Sequence, residues 1–490
     1  MPTASGFNMD LFLSTLALIG AVIVTSALLS GLVQKTGLPQ VAIFLTIGAL
    51  IGPAGLNFMN AELRSPILEV VGTLSLVLVL FTDAVSLNLA EVRKNKLLSV
   101  LVVGPGTLVT ALLIALVAWK LLGLGPVQSM ILGAVLASTD PVLLRGLLGR
   151  QGLDGDVRQA LRLESGLNDA VLLPLVLVGI TILTEGHALA AMDWVHLGLD
   201  ILVLSPAAGV IIALAGIGML ELVRRRAGVR RDYESIYSLG LAFAAYAAAE
   251  SVHGSGYLAA FAAGLTISAL DVELCDCFLE YGETTAEMAL MFTFVLFGTS
   301  VIWTGLGILG PATLLFTLLV FAARPAAFLP ALLPVKMRWK ERWLIAWSGP
   351  RALSSLLLAL LPVFAGAPDS ERLMTICCLV VLFSVLLHGL SPMVLVKSEA
   401  QPPGPKALPV IQSPPAEAAA DPPEPSSSEF ITIEEVKAAK PIIVDARSDR
   451  SYDESVEGIP GAVRLNPNNA VTSAREHGIP QDAVLAVLCA

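Results

Sequence analysis

Long apolar runs alternate with short polar loops along the first four fifths of the chain. Each run is roughly 20 residues long, the length that an α-helix needs to cross the ~30 Å hydrocarbon core of a bilayer. The pattern therefore predicts an all-α polytopic membrane protein with about thirteen transmembrane helices. The predicted spans are 10–34, 38–57, 66–89, 97–122, 127–148, 159–184, 195–222, 234–252, 255–271, 284–304, 306–332, 341–364 and 372–396.

Composition supports this interpretation. Only 14% of the 490 residues are charged and 55% are hydrophobic, with a mean hydropathy of +0.79, whereas soluble domains carry roughly a quarter charged residues. The first run is too long for a signal-peptide core and has no basic region before it. The 5 cysteines do not suggest a disulfide scaffold, and no feature indicates a nucleic-acid partner.

Basic residues gather in the loops that follow the odd-numbered spans, as in the run 224–226 and at Lys35, Lys96 and Arg150. Cytoplasmic loops carry the excess of lysine and arginine in membrane proteins. We therefore expect a multi-pass protein of the cell membrane, with its N-terminus outside and its C-terminus in the cytoplasm.

Two pairs of apolar segments resemble each other at the same separation in sequence. The stretch "FLTIGALIG" around Gly48 resembles "AFAAGLTIS" around Gly264, and the stretch around Phe81 resembles that around Phe297. Seven predicted spans separate the starts of the two halves, so the halves would have opposite orientations in the membrane. Inverted repeats of this kind occur in many secondary transporters.

The composition changes at the end of the predicted membrane domain, 1–397. Residues 398–428 are rich in Pro, Ala and Ser, which predicts a disordered linker. In residues 429–490 the segment "PIIVDAR" reads as a strand, a polar helix-like piece and "GIPGAVRLN" follow it, and "DAVLAVLCA" reads as another buried strand, so we expect a short α/β cytoplasmic tail.

Polar groups interrupt the apolar pattern inside the fifth span, at Thr139, Asp140 and Pro141. The proline lacks a backbone donor and frees an upstream carbonyl. A helix broken there would present carbonyl oxygens and half-helix ends to an ion. A helix cap at the membrane edge is the alternative interpretation of Thr139 and Asp140.

The sixth span begins with a second polar group, in which Ser165 and Asp169 share one helix face and Glu164 and Asn168 share the next. Ionisable groups at membrane depth are costly and usually functional. Glu164 could alternatively be a solvated acid near the cytoplasmic end of the span.

The twelfth span contains the third group, in which Gly349 and Pro350 predict a helix break beside Arg351. This break lies near the repeat position that corresponds to Asp140. Two discontinuous helices at matching positions of two halves are the best sequence indication of a transport site. Arg351 could instead extend to the membrane interface, and Arg324 in the eleventh span is interpreted as structural or as another interfacial side chain.

These segments resemble the monovalent cation/proton antiporter superfamily, and most closely its electroneutral sodium/proton exchanger branch. The matching pieces are "LPQVAIFLTIGALIGPAGL", "LVLFTDAVSLNLAEVR", "ASTDP", "ESGLNDA", "GSGYLAAFAAGL" and "WSGPRALSSLLLALLP", in family order. The resemblance implies a homodimer in which a dimerisation scaffold adjoins a six-helix core with two crossing discontinuous helices. It implies a transporter of sodium ions and protons, not an enzyme, and no cofactor.

The resemblance also assigns roles to the polar residues. Asp169 is similar to the carboxylate that binds cation and proton alternately, and Asn168 precedes it as in the electroneutral Asn-Asp pair. Thr139 and Asp140 are similar to the unwound crossing, and Ser165 to a further sodium ligand. A sodium site would then comprise Asp140, Asp169, Ser165, a carbonyl near Thr139 and water, because sodium is held by roughly six hard oxygen atoms.

By the same resemblance, Glu164 is expected to pair with Arg351 and hold the core together. The sequence departs from the family pattern at "GPRAL", which replaces a more glycine-rich arginine motif, and after "TDP", where Arg145 follows. These departures leave the lining of the pore open.

The tail resembles a rhodanese-like domain, in which a cysteine follows a central strand. Cys489 stands at that position, but the sequence continues for only one residue beyond it. The loop that would stabilise the thiolate is missing from this sequence, so we expect no sulfur-transferase activity from this segment.

The physics of a carboxylate at mid-membrane predicts coupled exchange. Moving a naked carboxylate across a low dielectric costs several kcal/mol or more, so the core would move only when Asp169 holds a proton or a cation. With Asn168 in place of a second carboxylate, one proton per cation is the simplest hypothesis. The alternatives are a potassium/proton or electrogenic exchanger, and a non-transporting membrane receptor that senses ions.

Overall fold

A computed structural model of the chain describes residues 20, 24, 40–58, 62–87, 89, 92, 95–148, 153, 155–185, 191–227, 231–270, 276–395, 442–445, 462–465, 474, 477, 479 and 485–488. The predicted span 10–34 (apart from two residues), the linker 398–428 and Cys489 lie outside these residues. The chain forms two compact units, Met1–Ala400 and Gln401–Ala490.

The first unit is helical throughout its described part. Its helices are α1 (Gln40–Ile51), α2 (Pro66–Val85), α3 (Lys96–Leu101), α4 (Thr107–Leu122), α5 (Pro126–Ala137), α6 (Pro141–Leu148), α7 (Gly155–Glu185), α8 (Ala191–Leu199), α9 (Ser205–Ala227), α10 (Arg231–Ser251), α11 (Gly256–Ala269), α12 (Asp276–Thr299), α13 (Thr304–Gly307), α14 (Pro311–Ala331), α15 (Trp339–Trp347), α16 (Leu353–Phe364) and α17 (Ser370–Leu395). Short π-helical segments, Val102–Gly106 and Asp200–Leu204, join α3 to α4 and α8 to α9. A 3₁₀ turn, Val301–Trp303, precedes α13.

Six described helical stretches are long and apolar enough to cross a membrane: Pro66–Val85, Lys96–Leu122, Gly155–Glu185, Met192–Val223, Pro311–Ala331 and Ser370–His388. The pair Met288–Thr299 and Val301–Gly307, bent by 57°, adds a seventh if it forms one span. The first unit is therefore a helical membrane protein, while the total of about thirteen spans stays a prediction.

Two predicted spans are each divided into two half-helices, as the sequence indicated. Residues 138–140 separate α5 from α6, and residues 348–352 separate α15 from α16. Pro141 opens α6, and a proline disfavours helical backbone in the residue before it. The helix therefore stops just before Pro141, and the second interruption contains Gly349 and Pro350.

The repeated segments pack reciprocally. Helix α1 lies against α12 at Gly48, where an added Cβ would lie 2.3 Å from the carbonyl oxygen of Val295. Helix α11 lies against α2 at Gly264, where a Cβ would lie 2.5 Å from the carbonyl oxygen of Phe81. Each of the two segments that resemble each other therefore contributes one glycine to a close helix contact, and the glycines allow the backbones to approach.

In the second unit the described residues form a three-stranded parallel sheet. Its strands are β1 (Ile442–Asp445), β2 (Val463–Arg464) and β3 (Leu485–Leu488), in the order β2-β1-β3. Ile442 pairs with Leu485 and Val444 pairs with Val463. Strands β1 and β3 lie in the two segments that the sequence predicted to be strands, and β2 lies in the segment "GIPGAVRLN" between them.

Candidate ion site at the helix crossing

The two broken helices are joined to each other through Asp140. Its backbone N–H donates to the carbonyl oxygen of Pro350 at 3.0 Å. Its Oδ2 atom accepts from the backbone N–H of Leu353, the first residue of α16, at 2.7 Å. A carboxylate at this position satisfies an otherwise unpaired donor and interacts favourably with the positive end of the helix.

Arg351 also joins the two broken helices, by binding the end of α5. Its Nη1 donates to the carbonyl oxygens of Ala137 at 2.9 Å and Ser138 at 3.3 Å, where α5 ends. Its backbone N–H donates to Ser384 Oγ at 2.7 Å. A cation stabilises the negative end of a helix. Arg351 is only 1% exposed, so it does not extend to the membrane interface.

Asp169 faces the break in the α5–α6 helix rather than hydrocarbon. Ser138 Oγ donates to its Oδ1 at 2.6 Å, and the side chain of Ser354 at the start of α16 also bonds to the carboxylate. Asp169 is 3% exposed, and Asp140 lies close enough for its charge to act on it. The structure therefore brings the two predicted aspartates to one place.

Asn168 holds the unwound segment with one end of its amide. Its Nδ2 donates to Thr139 Oγ1 at 2.7 Å and to the Thr139 carbonyl oxygen at 3.4 Å. Its Oδ1 is buried and has no hydrogen-bond partner among the described residues. An amide oxygen is a ligand that hard cations accept, and this one belongs to the residue next to Asp169 in the sequence.

The structure corrects the predicted pairing of Glu164 with Arg351. Both carboxylate oxygens of Glu164 pair with Arg324, Oε1 with Nη1 and Oε2 with Nη2 at 2.5 Å. Arg351 is already engaged by the carbonyls at the end of α5. Thr139 Oγ1 donates to Glu164 Oε1 at 3.4 Å, so Glu164 adjoins the unwound segment and is not a solvated acid.

Arg324 donates to carbonyl oxygens at the end of α15, as Arg351 does at the end of α5. Its Nη2 donates to the carbonyl oxygen of Ile345 at 2.9 Å and its Nε to that of Ala346 at 3.1 Å. The guanidinium also stacks 4.2 Å from the ring centre of Phe328. Arg324 is 2% exposed, which supports the structural interpretation and excludes an interfacial side chain. Each half-helix that ends at the crossing thus has its own arginine.

The sequence analysis did not identify Ser138, Ser354 and Ser355 as residues of the site. Ser138 directly precedes the predicted "TDP" and contacts Asp169. Ser355 Oγ donates to the Ser138 carbonyl at 3.3 Å. The position of Ser138 directly before that motif is the sequence feature that could have indicated its place in the site. Ser165 Oγ donates to the carbonyl of Arg162 at 3.3 Å, within its own helix, so its role as a cation ligand stays a prediction.

The charges of the crossing do not cancel. Among the described residues of the first unit, the buried Asp, Glu, Lys and Arg side chains are three carboxylates and two guanidiniums: Asp140, Glu164, Asp169, Arg324 and Arg351. Their formal sum is one negative charge. Burial of an uncompensated charge is costly, so this cluster favours the uptake of one monovalent cation or one proton.

Comparison with known families gives one match over most of the chain. A family described as "Sodium/hydrogen exchanger, transmembrane" matches residues 21–397. The fold is similar to that of the solved sodium proton antiporter MjNhaP1 from Methanocaldococcus jannaschii, with a TM-score of 0.65 and 21% identity. That similarity covers 79% of this chain and 99% of the solved one.

Three curated relatives are 26% or 27% identical to this chain. The K(+)/H(+) antiporter NhaP of Alkalimonas amylolytica is 27% identical over 77% of this chain, which spans 65% of that relative. The K(+)/H(+) antiporter NhaP2 of Shewanella baltica is 27% identical, and the match covers 81% of this chain and 69% of that relative. The Na(+)/H(+) antiporter NhaP of Pseudomonas aeruginosa is 26% identical, and the match covers 66% of this chain and 79% of that relative.

Proposed function

The chain belongs to the sodium/hydrogen exchanger family, and from that membership we propose that it is a secondary antiporter that exchanges a monovalent cation for a proton across a membrane. The observation that carries the proposal is the position of Asp169, buried between the two broken helices and contacted by Ser138. A single carboxylate there can bind a cation or a proton, and the two compete for the same oxygen atoms.

The cation site would combine oxygens from both sides of the break. Asp169 would supply the charge, and the unpartnered Oδ1 of Asn168 would supply a neutral oxygen. Asp140, Ser165, a carbonyl near Thr139 and water would complete the shell. Because Asp140 and Arg351 each bond to the opposite broken helix, the crossing would move as one body when the site is loaded.

The charge of the crossing supports a one-for-one stoichiometry. Three buried carboxylates oppose two buried guanidiniums, so one cation or one proton neutralises the cluster. The neutral cluster would reorient through the membrane, whereas the empty cluster would carry a charge whose transfer costs several kcal/mol. Alternating access with obligatory coupling follows from this difference.

Sodium is the cation that the sequence resemblance favours, with lithium as a surrogate. Potassium is a second candidate because relatives that are 27% identical bear the name K(+)/H(+) antiporter, while a relative that is 26% identical bears the name Na(+)/H(+) antiporter. Both ions accept carboxylate, amide and carbonyl oxygens, so the choice between them depends on the size of the shell.

The larger assembly belongs to the same proposal. About thirteen spans would form an inverted repeat, with the N-terminus outside the cell and the C-terminus in the cytoplasm, and two copies would form a homodimer. The reciprocal packing at Gly48 and Gly264 supports the repeat. The tail, 429–490, would be a partial rhodanese-like domain, which the parallel order β2-β1-β3 supports.

Cation-dependent proton movement in everted vesicles tests the function. Addition of sodium, lithium or potassium to vesicles with an imposed pH gradient should dissipate that gradient, and the ion series identifies the cation. Asp169→Asn should abolish the response. Asp156→Asn, which changes an exposed acid in the first turn of the same helix α7, should retain it.

A receptor that only senses ions would give no response with any of the three cations, and this result would overturn the proposal. Retained exchange in Asp169→Asn would overturn the role of Asp169 alone. Thermal unfolding of both variants separates loss of function from loss of fold.

A further inference from the structure

An apolar groove opens on the outside of the crossing, between α4, α5 and α7. Its volume is 420 Å³, within the ~300–1,000 Å³ of small-molecule pockets. Residues from all three helices line it, and Ser129 is the only polar one among the ten that do. Representative lining residues are Leu108, Leu112, Leu116, Trp119, Met130 and Leu175.

The groove runs along α4 for the depth of one membrane leaflet. Its lining begins at Trp119, near the end of α4, and reaches Leu108. Eleven residues of helix at ~1.5 Å each give roughly 16 Å, about half of the ~30 Å hydrocarbon core. Trp119 also suits the membrane interface, where tryptophan is enriched.

Two cations lie at the interfacial end of the groove. Lys120 Nζ sits 3.8 Å above the ring centre of the lining residue Trp119. Arg372 Nη2 donates to the carbonyl oxygen of Leu122, the last residue of α4, at 3.0 Å. Both side chains are exposed. The apolar groove thus ends at two positively charged side chains, Lys120 and Arg372, which together form its charged lip.

We propose that this groove binds one anionic phospholipid, with an acyl chain between α4, α5 and α7 and the phosphate at Lys120 and Arg372. At this depth the surrounding medium is hydrocarbon, and the length, the apolar lining and the charged lip together match one lipid molecule. The groove has too few polar groups to hold the transported ion. The site is independent of the proposed transport chemistry, although α7 also carries Asp169.

Lipid retention on the whole protein tests the proposal. Purified protein is reconstituted in nanodiscs of phosphatidylglycerol or phosphatidylcholine, extracted into mild detergent and weighed by native mass spectrometry. The unmodified chain should retain phosphatidylglycerol in preference to phosphatidylcholine. Lys120→Gln should lower that preference about five-fold, the effect of one basic residue at a membrane surface. Unchanged preference in Lys120→Gln would overturn the assignment of the lip.

Two matched double variants test the proposed binding of the acyl chain in the groove. Leu112→Gln with Leu116→Gln makes the groove polar, and should abolish retention. Leu315→Gln with Leu318→Gln changes leucines of similar exposure on α14, outside the groove, and should leave retention intact. Intact retention in both double variants would overturn the proposal. If both lose the lipid, quenching of Trp119 by a brominated acyl chain, measured as the difference from Trp119→Phe, decides: absence of that quenching overturns it.

Discussion

The Oδ2 atom of Asp140 accepts a hydrogen bond from the backbone N–H of Leu353 at 2.7 Å, so a side chain from one broken helix caps the start of the other. The reverse connection is made by Arg351, which donates to the carbonyl oxygen of Ala137 at 2.9 Å. Asp140, which looks like an ion ligand in the sequence, therefore also helps Arg351 to hold the two half-helix pairs together.

Replacement of Asp140 should separate its capping role from its charge. Asp140→Ala removes the acceptor for the Leu353 N–H and should lower the free energy of unfolding by ~0.5–2 kcal/mol. Asp140→Asn keeps an oxygen at the cap and should cost less. Thermal unfolding in detergent compares the two variants. Equal stability of the alanine and asparagine variants would mean that the cap contributes nothing.

A double-mutant cycle should assign the partner of Glu164. Arg324→Met leaves the buried Glu164 carboxylate unpaired, which costs ~3–5 kcal/mol, and adding Glu164→Gln should recover part of that loss. Arg351→Met should show a smaller coupling with Glu164→Gln, because the Arg351 guanidinium bonds to backbone carbonyls. The measurement is the melting temperature of each single and double variant. A stronger coupling between Glu164 and Arg351 would restore the pairing that the sequence suggested.

Transport should be insensitive to membrane voltage. If one cation exchanges for one proton, no net charge crosses per cycle, because either ion neutralises the same cluster of three carboxylates and two guanidiniums. Proteoliposomes with and without an imposed potential should reach the same cation gradient. An exchanger that moves one net charge would shift that gradient about 50-fold per 100 mV, and such a shift would refute one-for-one exchange.

The reciprocal glycine contacts should be sensitive to a single methyl group. Gly48→Ala and Gly264→Ala place a Cβ 2.3 and 2.5 Å from backbone oxygens of the facing helices, and overpacking of this kind costs ~1–3 kcal/mol. Thermal unfolding is the measurement. Gly218→Ala, at a helical glycine of α9 with nothing within 4 Å of the added Cβ, is the control and should be neutral or slightly stabilising. Loss of stability in the control alone would contradict the packing argument.

The sequence by itself determined the membrane class, the two helix breaks and the candidate carboxylates. These follow from local physics: a bilayer requires about 20 apolar residues per span, a proline removes a backbone donor and favours a helix break where polar residues or glycine adjoin it, and a charge at membrane depth needs a function or a partner. The positions of Pro141, Pro350 and Asp169 could therefore be interpreted without knowledge of their neighbours in space.

Only the tertiary structure decided which groups meet. Glu164 and Arg324 are 160 positions apart, and Asp140 and Leu353 are 213 apart, so no periodicity or motif within one segment encodes these contacts. Arg324 and Arg351 both precede or follow a proline in an apolar run, and the sequence cannot rank them as partners of one glutamate. The packing of α14 against the end of α15 makes that choice, because each arginine binds the half-helix end that lies within its reach.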